Sequence, residues 1–486
     1  MLAQRIKPTL VKLKQHPSFP YWLLAAITLL AAVLRFYKLG QWSFWIDEIY
    51  TINHALQHFG TIEQILENIP PVRNWMPVSV LLAAQALNIL GISEWSARIS
   101  AAVIGILTIP ILFFPTRRIF GTQVALIALI LLAVSPWHIF WSQNARFYTS
   151  LLLFYNLALI AFYFGIHRNR IYYFLLFYVF LYLAFSERLF AFFIVPVIVG
   201  YLIFLWILKF DLPQGLNLRN LLLLGVPIIA AGLIELFSWI AYGESRFFAD
   251  FSWFFLYRTD DPVRLLGNIG FNIGIPLIAL AIFSGALLLK KKSHAGLLMF
   301  ANAVIPTVIL FAVNPYIFTK DRYVFFVLFS WVVLAAYGIY ELWKSSNGVP
   351  KLFSVAVLMI LLFDAGSDIL LYNKGNNGNR LEWKTAFNII QENGEQDDAV
   401  VAYWPEFGPY YLNREVIAYE DIDVATILGS GKRYWFILDS ETIWANSKVK
   451  ARREKNARLI DSRYLRTPDE FFLRIYLFDP KYPPSP

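Results

Sequence analysis

Two adjacent carboxylates, Asp47 and Glu48, stand in the stretch Trp42-Ser-Phe-Trp-Ile-Asp-Glu-Ile-Tyr-Thr51, just beyond an apolar run that ends near Leu39. Aromatic residues flank them on both sides. A carboxylate at the end of a membrane span can meet a substrate whose tail lies in lipid and whose reactive group lies in water. In a partly desolvated loop its pKa rises toward the range of a general base. Asp47 is therefore the candidate base, with Glu48 beside it at the catalytic centre in a hydrogen-bonding or supporting role. The plainer alternative is that Asp47 caps a surface helix and Glu48 is solvated.

Other polar stretches carry cations. Ser142-Gln-Asn-Ala-Arg-Phe-Tyr148 holds Arg146 and Tyr148, and Asn314 to Tyr323 holds Lys320, Arg322 and Tyr323. A guanidinium fork matches phosphate oxygens bidentately and stays charged near lipid. Arg146 and Arg322 are thus candidate phosphate ligands, Lys320 an added point charge, and Tyr148 and Tyr323 hydrogen-bond donors. The alternative for each cation is an interfacial anchor that snorkels to headgroups. Arg258, Asp260 and Asp261 suit either an acceptor site or a loop ion pair. His54 and His58 lie four apart, so they share a helix face and with Glu48 or Glu67 would suit zinc. No HExxH accompanies them, and two helical histidines are more often a polar face. A divalent metal is left open.

The elements that must position these groups are read from apolar runs. The chain has 486 residues, of which 58% are hydrophobic and only 15% charged. A soluble chain carries roughly a quarter charged residues. Runs of about 20 apolar residues recur, which is the signature of a multi-span membrane protein. Forty-three Phe, 26 Tyr and 16 Trp suit many membrane interfaces. The net charge of +9 sits largely in short basic clusters between runs, so it speaks for cytoplasmic loops and against nucleic acid. The absence of cysteine excludes disulfides and thiol chemistry.

With the basic N-terminus inside, the first span runs from Tyr21 to Leu39. The stretch Trp75 to Ile92 decides the topology. If it spans, every later basic loop inverts; if it lies on or re-enters the outer face, Arg117-Arg118, His167 to Arg170, Lys209, Lys290 to Lys292 and Lys344 all fall inside. The later spans are then Ile99–Pro115, Val124–Phe140, Ser150–Gly165, Ile171–Phe185, Phe190–Leu208, Leu221–Ile240, Ile269–Leu289, Leu297–Val313, Val324–Trp343 and Leu352–Leu371. Asp47, Arg146, Glu187-Arg188, Glu244 to Arg264 and Arg322 share the outer side. Basic residues placed against the positive-inside trend are most simply explained by anion binding.

After Tyr372 the composition turns polar. Leu381 to Glu392 reads as a helix, Ala399 to Tyr403 and Tyr434 to Leu438 as buried strands, Ser447 to Leu459 as a polar helix, and Phe472 to Phe478 as a terminal strand. Residues 1–372 thus form the membrane part, and 373–486 a small α/β domain outside the membrane.

The order of these pieces resembles a known group. Asp47-Glu48 follows the first span, then Leu90-Gly-Ile-Ser-Glu-Trp-Ser-Ala-Arg-Ile-Ser100, then Ser135-Pro-Trp-His-Ile-Phe-Trp-Ser-Gln-Asn-Ala-Arg-Phe-Tyr148, then Asp321-Arg-Tyr323, then Glu382-Trp-Lys384 opening the last domain. This is similar to the GT-C integral-membrane glycosyltransferases of the protein O-mannosyltransferase and aminoarabinose-transferase type. The resemblance implies about 11 transmembrane helices with juxtamembrane helices in the first outer loop. It also implies a polyprenyl-phosphate sugar donor, a lipid, glycan or protein acceptor on the extracytoplasmic face of the plasma (inner) membrane, inverting transfer, and a first-loop acid at the centre. One position departs from the pattern. Asn144 stands where many relatives carry an acid, so a metal held by that acid would lose a ligand here. A transporter or flippase for an anionic lipid or solute is the alternative; it calls for charges near span midpoints, where Glu235 is a candidate, and has no need of a soluble domain.

Overall fold

The computed structural model describes residues 18–67, 77–242, 261–345, 348–422, 430–439, 458–465 and 471–481. The basic N-terminal tail, Pro70 to Arg73, and Glu244 to Asp260 lie outside the described residues.

Among the described residues eight helices are long and apolar enough to cross a membrane, and two bent pairs raise the number to ten. The shorter apolar helix Ile171–Glu187, of 17 residues, packs along Tyr148–Arg168, so the spans that pass by length number eight to ten against the eleven expected. Val78–Leu90 does not join them. Its 13 residues rise about 20 Å, too little for a hydrocarbon core of roughly 30 Å. It packs instead on Ile46–Phe59 and the start of Glu94–Phe120, as a juxtamembrane helix.

The bent pairs correct two of the expected spans. Val124–Phe140 is not one helix: Thr122–Val134 and Pro136–Ser142 meet at 61°. Ser135-Pro136 causes the break, because proline has no N–H to continue the ladder and pushes the preceding residue out of the helical region. Ser135 then caps the new start, its hydroxyl accepting from the His138 N–H. Ile269–Leu289 is also split, since Pro262–Ile273 and Ile275–Lys290 meet at 88°. The corner is Gly274, whose φ of +97° is costly for any residue with a Cβ. Residues 269–273 therefore belong to a helix that lies across the bundle end rather than through it.

Alternation of the spans sorts the loops. One end gathers Ile46–Phe59, the 143–147 turn, Arg188, Asp321–Val327 and the C-terminal residues. The other end gathers Arg117, Arg168, Arg170, Lys290 to Lys292 and Lys344.

The C-terminal residues form a mixed sheet of order β2-β1-β3-β5-β4, with β1 Ala399–Ala402, β2 Ile417–Ala418, β3 Tyr434–Asp439, β4 Arg458–Leu465 and β5 Phe471–Phe478. β1 runs parallel to β2 and β3, and β5 runs antiparallel to β3 and β4. β3 is buried along its whole length, which is why its sequence is a continuous apolar run rather than an alternation. The expected helix Ser447–Leu459 is corrected at its end. Arg458 and Leu459 begin β4, paired with Leu477 and Tyr476, because an unpaired β5 edge takes a strand more readily than a helix. The rest of that expected helix lies outside the described residues.

The sheet's core continues into the membrane part. Trp383, Phe387 and Ile390 of Trp383–Asn393 pack in one cluster with Ile49, Ile52 and Phe59 of Ile46–Phe59, and with Ala84 and Leu87 of Val78–Leu90. The helix that carries the acid pair is thus clamped between the bundle and the sheet.

Candidate active site

Successive residues of a helix point about 100° apart, so the two acids part company at the start of Ile46–Phe59. Glu48 turns inward and is fully buried. Its Oε2 accepts from the Trp45 N–H at 3.0 Å, closing the helix start. Arg98 meets it as a fork, Nε to Oε1 and Nη2 to Oε2, both at 2.8 Å. The remaining Arg98 donors go to the carbonyls of Leu39, Trp42 and Ser43. The Ala145 N–H donates to Glu48 Oε1 at 2.8 Å, and Arg380 Nε lies 3.5 Å from Oε2. Burial alone would raise this carboxyl's pKa. Arg98, Arg380 and the Ala145 N–H outweigh burial and hold it down at about 2. One carboxylate therefore joins the first loop, the second span, the 143–147 turn and the entry to the C-terminal domain.

Asp47 turns the other way and its side chain stays one-quarter exposed. Its Oδ2 lies 3.6 Å from Arg146 Nη2 and 3.9 Å from Arg322 Nη2. These are ion-pair distances longer than direct hydrogen bonds. Arg146 is held in place by its other arm, with Nη1 donating to the Asp47 carbonyl at 2.8 Å and to Thr51 Oγ1 at 2.9 Å. Arg322 lies with its guanidinium carbon 5.0 Å from the Trp45 ring. The Nε atoms of Arg146 and Arg322 are buried without a hydrogen-bond partner, so each fork keeps a donor for another anion.

Tyr148 and Tyr323 lie within electrostatic reach of Arg322 and Asp47. Tyr148 packs 3.9 Å from Trp141, and Tyr323 stacks 4.3 Å from Phe190. Lys320 lies with its ammonium 5.0 Å over Phe318. A further cation, placed on this side by the sequence but given no role of its own, joins them: Arg188 lies 5.5 Å over Phe147, the ring that Arg146 also covers at 5.1 Å. Its neighbour Glu187 is an acid in the same short turn between apolar runs. That acid is buried, and Ser79 donates to it through both its N–H, at 3.0 Å, and its hydroxyl, at 2.5 Å.

The broken span aims the 143–147 turn at Asp47. Arg35, fully buried, donates to the carbonyls of Ala31 and Ala133 and meets His138 Nδ1 at 2.7 Å. It thereby satisfies carbonyls left open where Thr122–Val134 ends. Gln143 ties the turn to the Arg35 and Tyr37 carbonyls and accepts from the Tyr372 hydroxyl. Asn144 faces Arg380, accepting from its Nη2 at 2.6 Å. The position where the resemblance led us to expect an acid is thus turned to the C-terminal domain. Trp42 is buried under Gly378, where a Cβ would come within 2.5 Å of the indole and φ is +63°. Phe44 packs on Tyr410 and Tyr411. Trp45 instead lines an open space.

That space is a cavity of about 810 Å³ between the bundle end and the sheet. Its lining includes Trp45 and Arg322, Phe271 and Asn272 of Pro262–Ile273, and Trp404 and Asp439 of the C-terminal part. His54 and His58 lie away from it, their rings 4.8 Å apart on Ile46–Phe59. Among the described residues no three His, Asp or Glu side chains are grouped to hold a metal ion. Glu235 lies on Leu218–Tyr242, the span with the least of its surface covered by the bundle.

Comparison with known proteins agrees with this architecture. Residues 70–229 match the family dolichyl-phosphate-mannose-protein mannosyltransferase. No curated protein sequence matches the chain. Among solved structures, ArnT from Cupriavidus metallidurans bound to undecaprenyl phosphate is similar with a TM-score of 0.61 at 13% identity, over 95% of this chain and 98% of that one. Its apo form gives 0.59. The archaeal oligosaccharyltransferase AglB from Archaeoglobus fulgidus, in complex with an inhibitory peptide and a dolichol-phosphate, gives 0.54 at 14% identity over 94% of this chain and 74% of that one. At these identities the likeness is one of fold, and it runs nearly the length of the chain, which is an integral membrane protein with the GT-C glycosyltransferase fold.

Proposed function

We propose that the chain is a glycosyltransferase that moves a sugar from a polyprenyl-phosphate donor to an acceptor on the extracytoplasmic face of the membrane. The observation that carries this is Asp47 held between Arg146 and Arg322, at the membrane end of the bundle, with both Nε donors unspent. The lipid phosphates named in the ArnT and AglB structures support the donor class. A donor phosphate at the two forks competes with Asp47 for them and frees its carboxylate. Asp47 then takes the proton of an acceptor hydroxyl as its oxygen attacks the anomeric carbon. The bond from that carbon to the phosphate oxygen breaks on the opposite face, and polyprenyl phosphate leaves on the arginines. The configuration inverts. Glu48 acts only through others, by holding the Asp47 helix start and the Arg146 turn in register.

Replacing either arginine by lysine keeps the charge and loses the fork. Arg146→Lys and Arg322→Lys are each expected to raise the donor KM about tenfold, roughly 1.4 kcal/mol. Steady-state kinetics over a donor series measure this, and an unchanged KM in both variants rules the forks out as phosphate ligands.

The extracytoplasmic placement rests on the basic loops at the other end of the bundle. The chain has no cysteine, so single cysteines report cleanly. Lys374→Cys is expected to react with an impermeant maleimide on intact cells, and Arg170→Cys only after permeabilisation. The reverse pattern overturns the orientation.

A further inference from the structure

The sequence leaves a divalent metal open at this centre, and the folded chain brings a cation of its own to it. We propose that Arg380, carried in by the C-terminal residues, takes the place of a metal ion: it holds the 143–147 turn against Glu48, and transfer runs without a divalent cation. This rests on the glycosyl-transfer reading above.

Metals of the Mg²⁺ and Mn²⁺ class are held by oxygens, from carboxylates, carbonyls and water. Three oxygens converge where the acid helix meets the turn: Glu48 Oε2, Asn144 Oδ1 and the Gln143 carbonyl. The group they share is the Arg380 guanidinium. Its Nη2 donates to Asn144 Oδ1 at 2.6 Å and to the Gln143 carbonyl at 3.1 Å, and its Nε lies 3.5 Å from Glu48 Oε2. Nη1 donates to the Gly378 carbonyl at 3.3 Å, and the guanidinium carbon lies 5.6 Å from the Phe140 ring. Arg380 is almost wholly buried. A guanidinium stays charged when enclosed in this way. A metal ion drawn to the same oxygens would have to displace it.

The other acids of the centre do not fit a metal either. Both oxygens of Glu48 are committed to Arg98 and to the N–H groups of Trp45 and Ala145. Asp47 is a single carboxylate with Arg146 at 3.6 Å and Arg322 at 3.9 Å. A dication placed on it would meet both guanidinium charges at close range, where like charges repel. Asp321 already accepts from Asn272 at 2.5 Å. His54 and His58 pack ring against ring, and among the described residues no third His, Asp or Glu joins them. Arg380 is a positioning residue: it acts through Asn144 and Gln143 on the turn that carries Arg146. That turn therefore reaches its working geometry only with the C-terminal residues docked.

The test uses the full chain in detergent micelles. Transfer from a polyprenyl-phosphate sugar is expected to continue unchanged after EDTA and after Mn²⁺ is added back. Loss with EDTA and recovery with Mn²⁺ overturn the proposal. Without donor, a Mn²⁺ titration followed by electron paramagnetic resonance is expected to show no bound ion in the wild type. The double variant Arg380→Gln/Asn144→Asp removes the guanidinium and adds a carboxylate beside Glu48, and it is expected to bind Mn²⁺. Bound Mn²⁺ in the wild type, or none in a folded double variant, overturns the replacement. Positioning is read from kinetics. Arg380→Gln and Asn144→Ala are each expected to raise the donor KM about fivefold, the size of one lost hydrogen bond, with kcat little changed. Arg380→Lys should recover part of the loss. A merely structural Arg380 would lower the melting temperature and leave the KM of the folded protein as it was, and that result overturns the role. Asn144→Ala leaves Arg380 beside Glu48, so it decides the matter if the Arg380 variants fail to fold. Absence of transfer with and without Mn²⁺ sinks the glycosyl-transfer reading, and the donor-free titration then decides the proposal by itself. Transfer by a wild type that binds Mn²⁺ does the converse.

Discussion

Asp47→Asn is expected to lower kcat by about 10²–10⁴-fold, the span a positioned general base contributes. Asparagine keeps the shape and removes the basic oxygen. The donor KM should stay level or fall, because Arg146 and Arg322 no longer share their forks with a carboxylate. That split distinguishes a base from a structural ion pair. If Asp47 served only to hold the arginines, its loss would loosen them and raise the donor KM with little change in kcat. Pre-steady-state transfer from a labelled polyprenyl-phosphate sugar reads both quantities. Full turnover by Asp47→Asn would remove Asp47 from the chemistry. The two ion pairs, at 3.6 and 3.9 Å, are longer than hydrogen bonds and partly open to solvent, so they contribute little to stability. The variant should therefore melt close to the wild type.

The convergence of Asp47, Arg146 and Arg322 was legible because it needed only topology. Counting apolar runs and weighing basic loops puts three polar turns on one side, and their cations then ask for an anion. The two broken spans were less legible. Each reads as one apolar run by composition, and a bend of 61° or 88° leaves no trace in hydropathy. Ser135-Pro136 and Gly274 mark the bends only once the helix direction on both sides is known. Of the hub around Glu48, the supporting role of the acid was legible but its partners were not. Arg98 lies 50 residues away, and Arg380 lies 236 residues from the Asn144 it contacts. In sequence, Arg98 reads as an ordinary arginine near a span end and Arg380 as a polar-domain surface residue. Only packing shows both enclosed, with Glu48 as their shared counter-charge. β4 was misread in part because its pairing partner, β5, follows it and its first residues continue a polar, charged stretch.

Glu48→Gln tests that hub, and its effect should appear in stability. Glutamine fills the same space but leaves Arg98 and Arg380 buried without a counter-charge. Breaking a buried pair in this way costs about 3–5 kcal/mol. The sign of the pH dependence follows from the carboxyl's pKa, which falls from an ordinary 4.5 to about 2 on folding. A lowered pKa adds stability that is fully present above the unfolded value. It is lost as pH drops from about 4.5 through about 2. The shift corresponds to about 3 kcal/mol, in the range of the mutational cost. Wild-type protein in detergent should therefore lose melting temperature steeply below pH 4.5. Glu48→Gln should start lower and show a flatter acid limb. Adding Arg98→Met removes one of the stranded charges and should recover part of the loss, which a double-mutant cycle measures. Were Glu48 a reacting group instead, Glu48→Gln would keep the wild-type melting curve and lose kcat. A carboxylate with no exposed surface, already serving Arg98 and the N–H groups of Trp45 and Ala145, has no oxygen to offer a substrate.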